Sequence, residues 1–277
     1  ILLEDPVALV REAAAEALGK IADDRALETL KQALEDVDVA TRRRAMEALE
    51  RMGERAVPFF LSALSGQSDE AAVQAANALE RLGWVSRWVE NLAGDQWESH
   101  AEQLTRIAKF GVVETLARSL THPVMQVRIR LCRILAVRPT PRTFEALTDL
   151  AQKDDEWAVR LEALTTLIRL ADDRTSVLVG HALETEEEMV QEKLLQVLRD
   201  APQNFLMPLS QAICQSLQGG NLAIRKEAVH VLEKIQNDAT APSLFACLSD
   251  PASEVRSMAV TALRHSIQKK EVVDQLI

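Results

Sequence analysis

The residues of this chain that could bind a metal ion are scattered. The five histidines never stand three or four residues apart, and the three cysteines are equally separated. A zinc site needs several such ligands that converge, usually as closely spaced pairs. The sequence therefore predicts no metal site. The residues considered are His100, His122, His181, His230 and His265, with Cys132, Cys214 and Cys247.

Patterns for nucleophilic catalysis or nucleotide binding are missing as well. The sequence has no Gly-x-Ser-x-Gly elbow, no phosphate loop and no dinucleotide glycine pattern. Gly219-Gly220 is a lone pair at a predicted helix junction, where a turn is a simpler interpretation than a phosphate cradle. Cys132 falls at an apolar repeat position, which favours a packed thiol over a reactive one. We expect no catalytic residue and no cofactor, and hence no enzyme.

Arginine recurs at a regular interval. In three pairs of arginines the members are 31 or 32 positions apart. Such a ladder of guanidinium groups could bind anions. An aspartate or turn carbonyl stands near the predicted helix starts, so hydrogen bonds that link successive repeats are the favoured interpretation. The pairs are Arg11 and Arg42, Arg128 and Arg160, and Arg225 and Arg256.

Composition excludes several classes of protein. The 32 Lys and Arg against 42 Asp and Glu give a net charge of −10, which disfavours binding to nucleic acid. No apolar stretch is long enough to span a membrane and no signal peptide is visible, so we expect no membrane insertion. Cysteines without paired spacing indicate a reducing, cytoplasmic compartment. Aromatic residues at 4%, with no Tyr, argue against a sandwich or barrel.

The elements that carry these residues repeat along the whole chain. Residues 5–18 and 250–263 are almost alike. Between them Leu or Ile recurs at two equivalent positions of each repeat, which we call the first and second leucine columns. The offset from the first column to the second is 15 residues in nearly every copy. Each unit is therefore predicted to be a short helix, a tight turn and a longer helix. The first column is Leu34, Leu64, Leu92, Leu120, Leu150, Leu183, Leu217 and Leu248, and the second is Leu49, Leu79, Ile107, Leu135, Leu167, Leu198, Leu232 and Leu263.

Small residues and helix starts add to this pattern. An alanine three positions after the recurrent arginine would let neighbouring helices approach closely. Asp5-Pro6 and Asp250-Pro251 are predicted helix starts, with Asp as the cap and Pro in the first turn. The alanines are Ala14, Ala45, Ala75, Ala163, Ala228 and Ala259.

The signature Asp-Pro…Val-Arg…Ala…Ala-Leu resembles the HEAT-repeat family, in particular its short bacterial form named after phycobilisome-lyase proteins. The resemblance covers essentially the whole chain. It implies an all-α solenoid, a superhelix of stacked antiparallel helix pairs, with residues 1–277 as a single array of about eight to nine hairpins. Deoxyhypusine hydroxylases, which are HEAT-like, bind iron through His-Glu pairs, and this sequence has no His-Glu dipeptide. Both ends stop inside a repeat, so we expect a fragment of a longer chain.

The most irregular segment is 95–110. When Ile107 is aligned with the second leucine column, Gln103 and Arg106 fall where apolar residues should pack. We expect a rotated helix that buries Leu104, Ile107 and Ala108, and a break in the stack is the alternative. Trp88 replaces a core residue of the first helix and is predicted to be buried.

A possible partner surface lies on the second helices. Val73, Ile129 and Leu161 occupy a column where polar residues would be ordinary. In HEAT-like stacks the second helices line the concave face, so we expect an exposed apolar stripe there. Incidental surface apolar residues are the alternative. The arginines that flank this stripe are Arg130, Arg133 and Arg169.

These observations predict a non-catalytic scaffold or adaptor that binds another protein or a peptide along the concave face. The resemblance implies one enzymatic alternative, a bilin lyase or isomerase-type subunit. A HEAT-like DNA glycosylase is a weaker alternative, because such enzymes use a strongly basic concave face. The sequence leaves the oligomeric state open.

Overall fold

The computed structural model describes residues 2–66, 68–235 and 239–266, and in the last range the side chains of residues 265 and 266 are not described. Across these ranges the regular secondary structure is helical and contains no strand. The α-helices are α1 Ala8–Ile21, α2 Leu27–Ala33, α3 Val39–Arg51, α4 Val57–Ala63, α5 Asp69–Arg81, α6 Trp84–Asn91, α7 Trp97–Ala108, α8 Val113–Arg118, α9 Met125–Leu135, α10 Pro141–Lys153, α11 Trp157–Leu170, α12 Ser176–Thr185, α13 Glu188–Leu198, α14 Gln203–Leu206, α15 Ser210–Gly219, α16 Leu222–Ile235, α17 Ala241–Ala246 and α18 Ser253–Ser266.

The chain divides into two compact units, unit 1 with residues 1–143 and unit 2 with residues 144–277. In each unit a first helix, usually short, alternates with a longer second helix. Second helices of successive repeats pack on one another, as α1 does on α3 and α16 on α18. Each unit is thus a stack of helical hairpins, and the fold is an all-α repeat solenoid. The second helices are α1, α3, α5, α7, α9, α11, α13, α16 and α18.

The predicted columns form the core. Every position of the second leucine column is buried, and so is the alanine column from Ala14 to Ala259. The first column is buried from Leu34 to Leu217, while Leu248 is half-buried. Each fully buried leucine contributes about 1.5–3 kcal/mol relative to an exposed one, so these columns hold the hairpins together.

The close approach of α1 and α3 depends on a residue without a side chain. A Cβ on Gly19 would lie 2.6 Å from both the Cα and the Cβ of Ala48. That separation is far inside normal van der Waals contact. Only glycine fits at this position, and the two helices pack almost backbone to backbone.

The irregular segment forms the regular helix α7, and its predicted rotation is confirmed. Leu104, Ile107 and Ala108 are its buried residues. Arg106 is half-buried and donates from Nη2 to the carbonyl oxygen of Leu61 at 2.7 Å. The core therefore continues through this repeat. Trp88, in α6, is also buried as predicted.

The predicted caps at Asp5 and Asp250 are wrong in detail. α1 and α18 begin three residues after these aspartates. The Asp5 carboxylate accepts from the Val7 N–H at 2.9 Å, and Asp250 accepts from the Ala252 N–H at 2.8 Å. Each aspartate thus closes a turn ahead of the helix, because the proline that follows fixes the backbone of a turn.

Candidate partner-binding surface

The recurrent arginines donate to the turns that precede their own helices. In each case Nη1 donates to a backbone carbonyl five or six residues earlier, at 2.7–2.9 Å. A guanidinium that bridges the turn in this way holds the entry angle of the second helix. The acceptors are the carbonyl oxygens of Asp5, Asp36, His122, Asp154, Gly220 and Asp250, which face Arg11, Arg42, Arg128, Arg160, Arg225 and Arg256.

Three of these guanidinium groups also reach carboxylates of the next repeat. These pairs are bidentate, with distances of 2.7–3.2 Å, and their side chains are mostly buried. Such planar charge-assisted pairs are strong and directional. These three arginines therefore form contacts between repeats and are not open to an anion. The pairs are Arg11 with Asp36, Arg160 with Glu186, and Arg225 with Asp250.

The arginine pairs shift the titration of their partners. Hydrogen bonds from the Arg11 guanidinium lower the pKa of the Asp36 carboxyl below its ordinary value. Arg225 lowers the pKa of Asp250 in the same way. One repeat carries Gln191 instead of arginine, and its amide donates to the Glu186 carbonyl at 2.8 Å. The amide keeps the turn contact but carries no charge.

The predicted partner residues are divided between the units, and the apolar stripe is narrower than predicted. Val73 in α5 is 39% exposed. Ile129 in α9 and Leu161 in α11 are only half-buried instead of exposed, because side chains on packed second helices are partly covered by neighbouring helices. Arg133 and Arg169 are exposed.

Arg130 is engaged inside unit 1. Its guanidinium lies 4.0 Å from the centre of the Trp97 ring and donates to the Leu92 carbonyl at the end of α6. Burial lowers the pKa of Arg130, and the nearby charge of Arg133 adds to this shift. A cation at a helix C-terminus and over an aromatic face stabilises the fold. Arg130 therefore joins α9 to the preceding repeat.

Leu161 and Arg169 line a groove between α11 and α13 in unit 2, with a volume of about 480 Å³. Ile168 and Thr165 lie at its buried side, and Val197 adds a half-buried apolar side chain. The groove combines apolar surface with charged groups at its rim. Its lining continues with Glu162, Lys193, Gln196, Asp200, Ala201 and Pro202.

Sequence reasoning missed the α13 side of this groove. Lys193 and Asp200 lie 31 positions after Glu162 and Arg169, so they occupy the same registers one repeat later. A comparison of these two registers between neighbouring repeats would have found them. In the part of the chain that the structure describes, Arg169, Lys193 and Asp200 form no ion pair. These side chains are therefore available to charges on a bound molecule.

Two of the three thiols are poorly placed for chemistry. Cys132 is fully buried, which confirms the predicted packed thiol. Burial raises the pKa of Cys247 to about 11, so its reactive thiolate form is suppressed. Within the described ranges no three His, Cys, Asp or Glu side chains converge in a way that could hold a metal ion. Nor does any described helix have the length and apolar character needed to cross a membrane.

Solved structures of related shape include two engineered proteins and one enzyme. One engineered protein has a TM-score of 0.41 and 18% identity, with 99% of this chain and 92% of that chain covered. Human deoxyhypusine hydroxylase in complex with glycerol has a TM-score of 0.41 and 18% identity, with coverage of 91% and 100%. The second engineered protein has a TM-score of 0.33 and 17% identity, with coverage of 96% and 94%.

Sequence comparison gives the family. No curated protein matches the chain. A family model described as HEAT repeats matches residues 1–83, 113–199 and 210–277. The first gap, 84–112, contains α6 and the irregular α7. The model covers HEAT repeats in general, so the narrower resemblance to phycobilisome-lyase repeats stays a prediction. Since the matched residues make up most of its length, the chain belongs to the HEAT-repeat family.

Proposed function

We propose that this protein is a non-catalytic scaffold or adaptor that binds another protein or a peptide on the face of its second helices. The observation that carries the proposal is the groove between α11 and α13. It contains Leu161 and Arg169 from the predicted partner surface and brings Lys193 and Val197 beside them. Apolar surface surrounded by a polar rim is typical of a protein-binding site.

The character of the groove supports binding rather than catalysis. The groove is open, and none of its lining residues is a serine, a cysteine or a histidine, the side chains that most often act as nucleophile and base. Apolar contact with Leu161 and Val197 would provide affinity, and the charges would select the partner. The free thiols Cys132, Cys214 and Cys247 are compatible with the reducing conditions of the cytoplasm, where we place this activity.

The test uses the exposed cations, because a charge at the half-buried Leu161 would also disturb packing. The variant Arg169→Glu with Lys193→Glu should reduce capture of the partner from the source lysate by about tenfold or more, since each reversal turns an attraction into a repulsion. Its melting temperature should change little, because both side chains are exposed and form no ion pair. The readout is quantitative mass spectrometry of the captured proteins.

A matched control changes the net charge equally at a distance from the groove. Lys109→Glu with Arg138→Glu reverses two exposed cations of unit 1. Equal loss in both variants would show that net charge, and not the groove, governs capture. Unchanged capture by the groove variant would contradict the proposal directly. Visible absorbance after co-expression with a bilin and an acceptor protein would favour the lyase alternative instead.

A further inference from the structure

The groove between α11 and α13 has a charged side chain at each of its four corners. On α11, Glu162 is followed seven positions later by Arg169. On α13, Lys193 is followed seven positions later by Asp200, and each stands 31 positions after its α11 counterpart. The sign of the charge therefore alternates along each helix and across the groove. Because the two acids and the two bases cancel, the groove can select the order of charges on a ligand but not its net charge.

Uncharged side chains fill the space between the corners. Thr165 and Gln196 have the same register midway along the two helices. Ile168 is buried at the bottom of the groove, and Val197 adds a half-buried apolar side chain. The groove thus offers an apolar strip that has a pair of opposite charges at either end.

The charged side chains that lie beyond α13 are engaged with one another or with the backbone. Arg199 pairs with Glu227 at 3.4 Å, and Lys234 donates to the carbonyl oxygen of Arg199 at 2.9 Å. Glu192 accepts a hydrogen bond from a neighbouring amide at 3.2 Å. Of the four corners, Glu162 is half-buried and already interacts within the fold, whereas the other three enter no ion pair among the described residues. Those three are the corners that a ligand can meet directly.

We propose that the partner segment of the proposed function, on which this inference rests, is an amphipathic α-helix that lies along the groove. Its flanks carry Lys opposite the acidic corners and Glu opposite the basic corners. Seven residues of an α-helix rise about 10.5 Å, so the two corners on each helix are separated by about that distance. A helical partner presents its residues i and i+7 on one side at the same spacing, while its apolar strip lies over Ile168 and Val197.

An extended segment does not fit this spacing. Three of its residues span about 10 Å, and residues i and i+3 point to opposite faces of the chain. Such a segment cannot turn two charges at this distance toward the same helix of the groove.

The pattern of corners is the same from both ends of the groove. A half-turn about the axis perpendicular to the groove exchanges the two acidic corners with each other and the two basic corners with each other. A helix with the matching order of charges can therefore bind in either direction. A helix whose Lys and Glu are exchanged mismatches the groove in both directions.

The experiment compares two labelled synthetic peptides of identical composition and no net charge. Both carry Leu on the side that faces the groove and Ala and Gln elsewhere, and a hydrocarbon bridge on the outer side keeps them helical. The matched peptide has Lys followed two turns later by Glu on one flank, and Glu followed two turns later by Lys on the other. In the exchanged peptide Lys and Glu change places.

Fluorescence anisotropy at low salt measures the affinity of each peptide for the whole chain. The matched peptide should bind about tenfold or more tightly than the exchanged one, because every attraction of the first is a repulsion in the second. A single exposed ion pair is weak, and the preference comes from several of them together.

A variant of the chain tests which residues discriminate. Lys193→Asp with Asp200→Lys reverses the two corners on α13 without a change in net charge. Each peptide then meets one helix that attracts it and one that repels it, so the preference should fall to within about twofold. If this variant loses helical signal, Lys193→Gln with Asp200→Asn replaces it and should lower the preference to about threefold.

The control makes the same exchange far from the groove. Glu102→Lys with Lys109→Asp changes two exposed residues of unit 1 that are also seven positions apart. It should keep the tenfold preference, since distant surface charges are screened. Equal binding of the two peptides to the original chain, binding of neither, or a preference that survives the exchange on α13 would each overturn the proposal.

Failure of this inference is distinguishable from failure of the proposed function. Suppose that Arg169→Glu with Lys193→Glu loses capture from the lysate while the two peptides bind equally or not at all. The groove then binds a protein segment that is not a helix of this kind. If neither capture nor peptide binding depends on the groove, both proposals fail.

Discussion

At the scale of single residues, the recurrent arginine has two structural tasks. Arg160 illustrates both: it donates to the Asp154 carbonyl at 2.9 Å and to the Glu186 carboxylate at 2.8 and 2.9 Å. One side chain thus fixes the turn of its own repeat and ties it to the next. A lysine could not replace it, because a single ammonium group cannot match this planar, forked geometry.

Replacement of Arg160 by alanine should therefore lower the stability of unit 2. The Glu186 carboxylate is only 14% exposed and would be left without its partner. Loss of hydrogen bonds to a charged group costs about 1.5–3 kcal/mol, which thermal or denaturant unfolding will measure. Lys153→Ala is the control, since its pair with Asp149 is exposed and should matter little. Equal stability of the two variants would contradict the structural role of Arg160.

At the scale of elements, local crowding decides where a helix can start and stop. Gly219 ends α15, and Gly220 follows as the first residue of the turn. The carbonyl of Gly220 accepts from Arg225 at 2.8 Å, so the pair belongs to a turn and its backbone is used by the fold. A Cβ on Gly219 would meet nothing within 4 Å, whereas one on Gly220 would collide with the side chain of Ile224.

The adjacent glycines should consequently respond in opposite ways to the same substitution. Gly219→Ala should be neutral or stabilising by up to about 1 kcal/mol, because alanine favours the helix. Gly220→Ala should destabilise by about 1–3 kcal/mol, because Ile224 is fully buried and cannot move aside. Chemical denaturation of both variants measures the difference. A tolerated Gly220→Ala would mean that the α15–α16 turn is looser than the structure shows.

At the scale of the whole molecule, links between repeats connect stability to pH. Both units contain aspartates whose folded pKa is lowered by arginine, Asp36 in unit 1 and Asp250 in unit 2. A carboxyl whose pKa is lower in the folded state than in the unfolded state adds stability at any pH above its unfolded pKa, which is about 3.9 for Asp. That stability is lost as the pH falls through the folded pKa.

The melting temperature should therefore drop when the pH is lowered below about 4. Asp36→Asn with Asp250→Asn should melt at a lower temperature at neutral pH. Below about pH 4 its melting temperature should fall less steeply with pH, because fewer carboxylates take up a proton on unfolding. Asp95→Asn with Asp173→Asn changes two exposed carboxylates and should keep the steepness of the original chain. If the melting temperatures of the first variant and of the original chain fell equally steeply below about pH 4, these links would not set the acid stability.

The fold was accessible from the sequence because a repeated hairpin is specified by local rules. The spacing of leucines and alanines follows helical periodicity, and each copy confirms the register of the next. This was sufficient to predict the buried columns, the burial of Trp88 and the rotation of α7 around Leu104 and Ile107. The resemblance carried by the Asp-Pro and Val-Arg positions indicated the HEAT-repeat family. The exact caps were missed because Asp5 and Asp250 prefer a bond to a nearer N–H than the helix offers.

The binding surfaces, in contrast, were decided by tertiary structure. Periodicity places a residue on a face of its own helix, but its exposure depends on how closely the next helix packs. Ile129 and Leu161 share a column with the exposed Val73, yet both are half-buried. Arg130 reads as a surface cation in the sequence and is held over Trp97 in the fold. The groove between α11 and α13 exists only because two helices meet, so its shape and its unpaired charges follow from their packing and not from either helix alone.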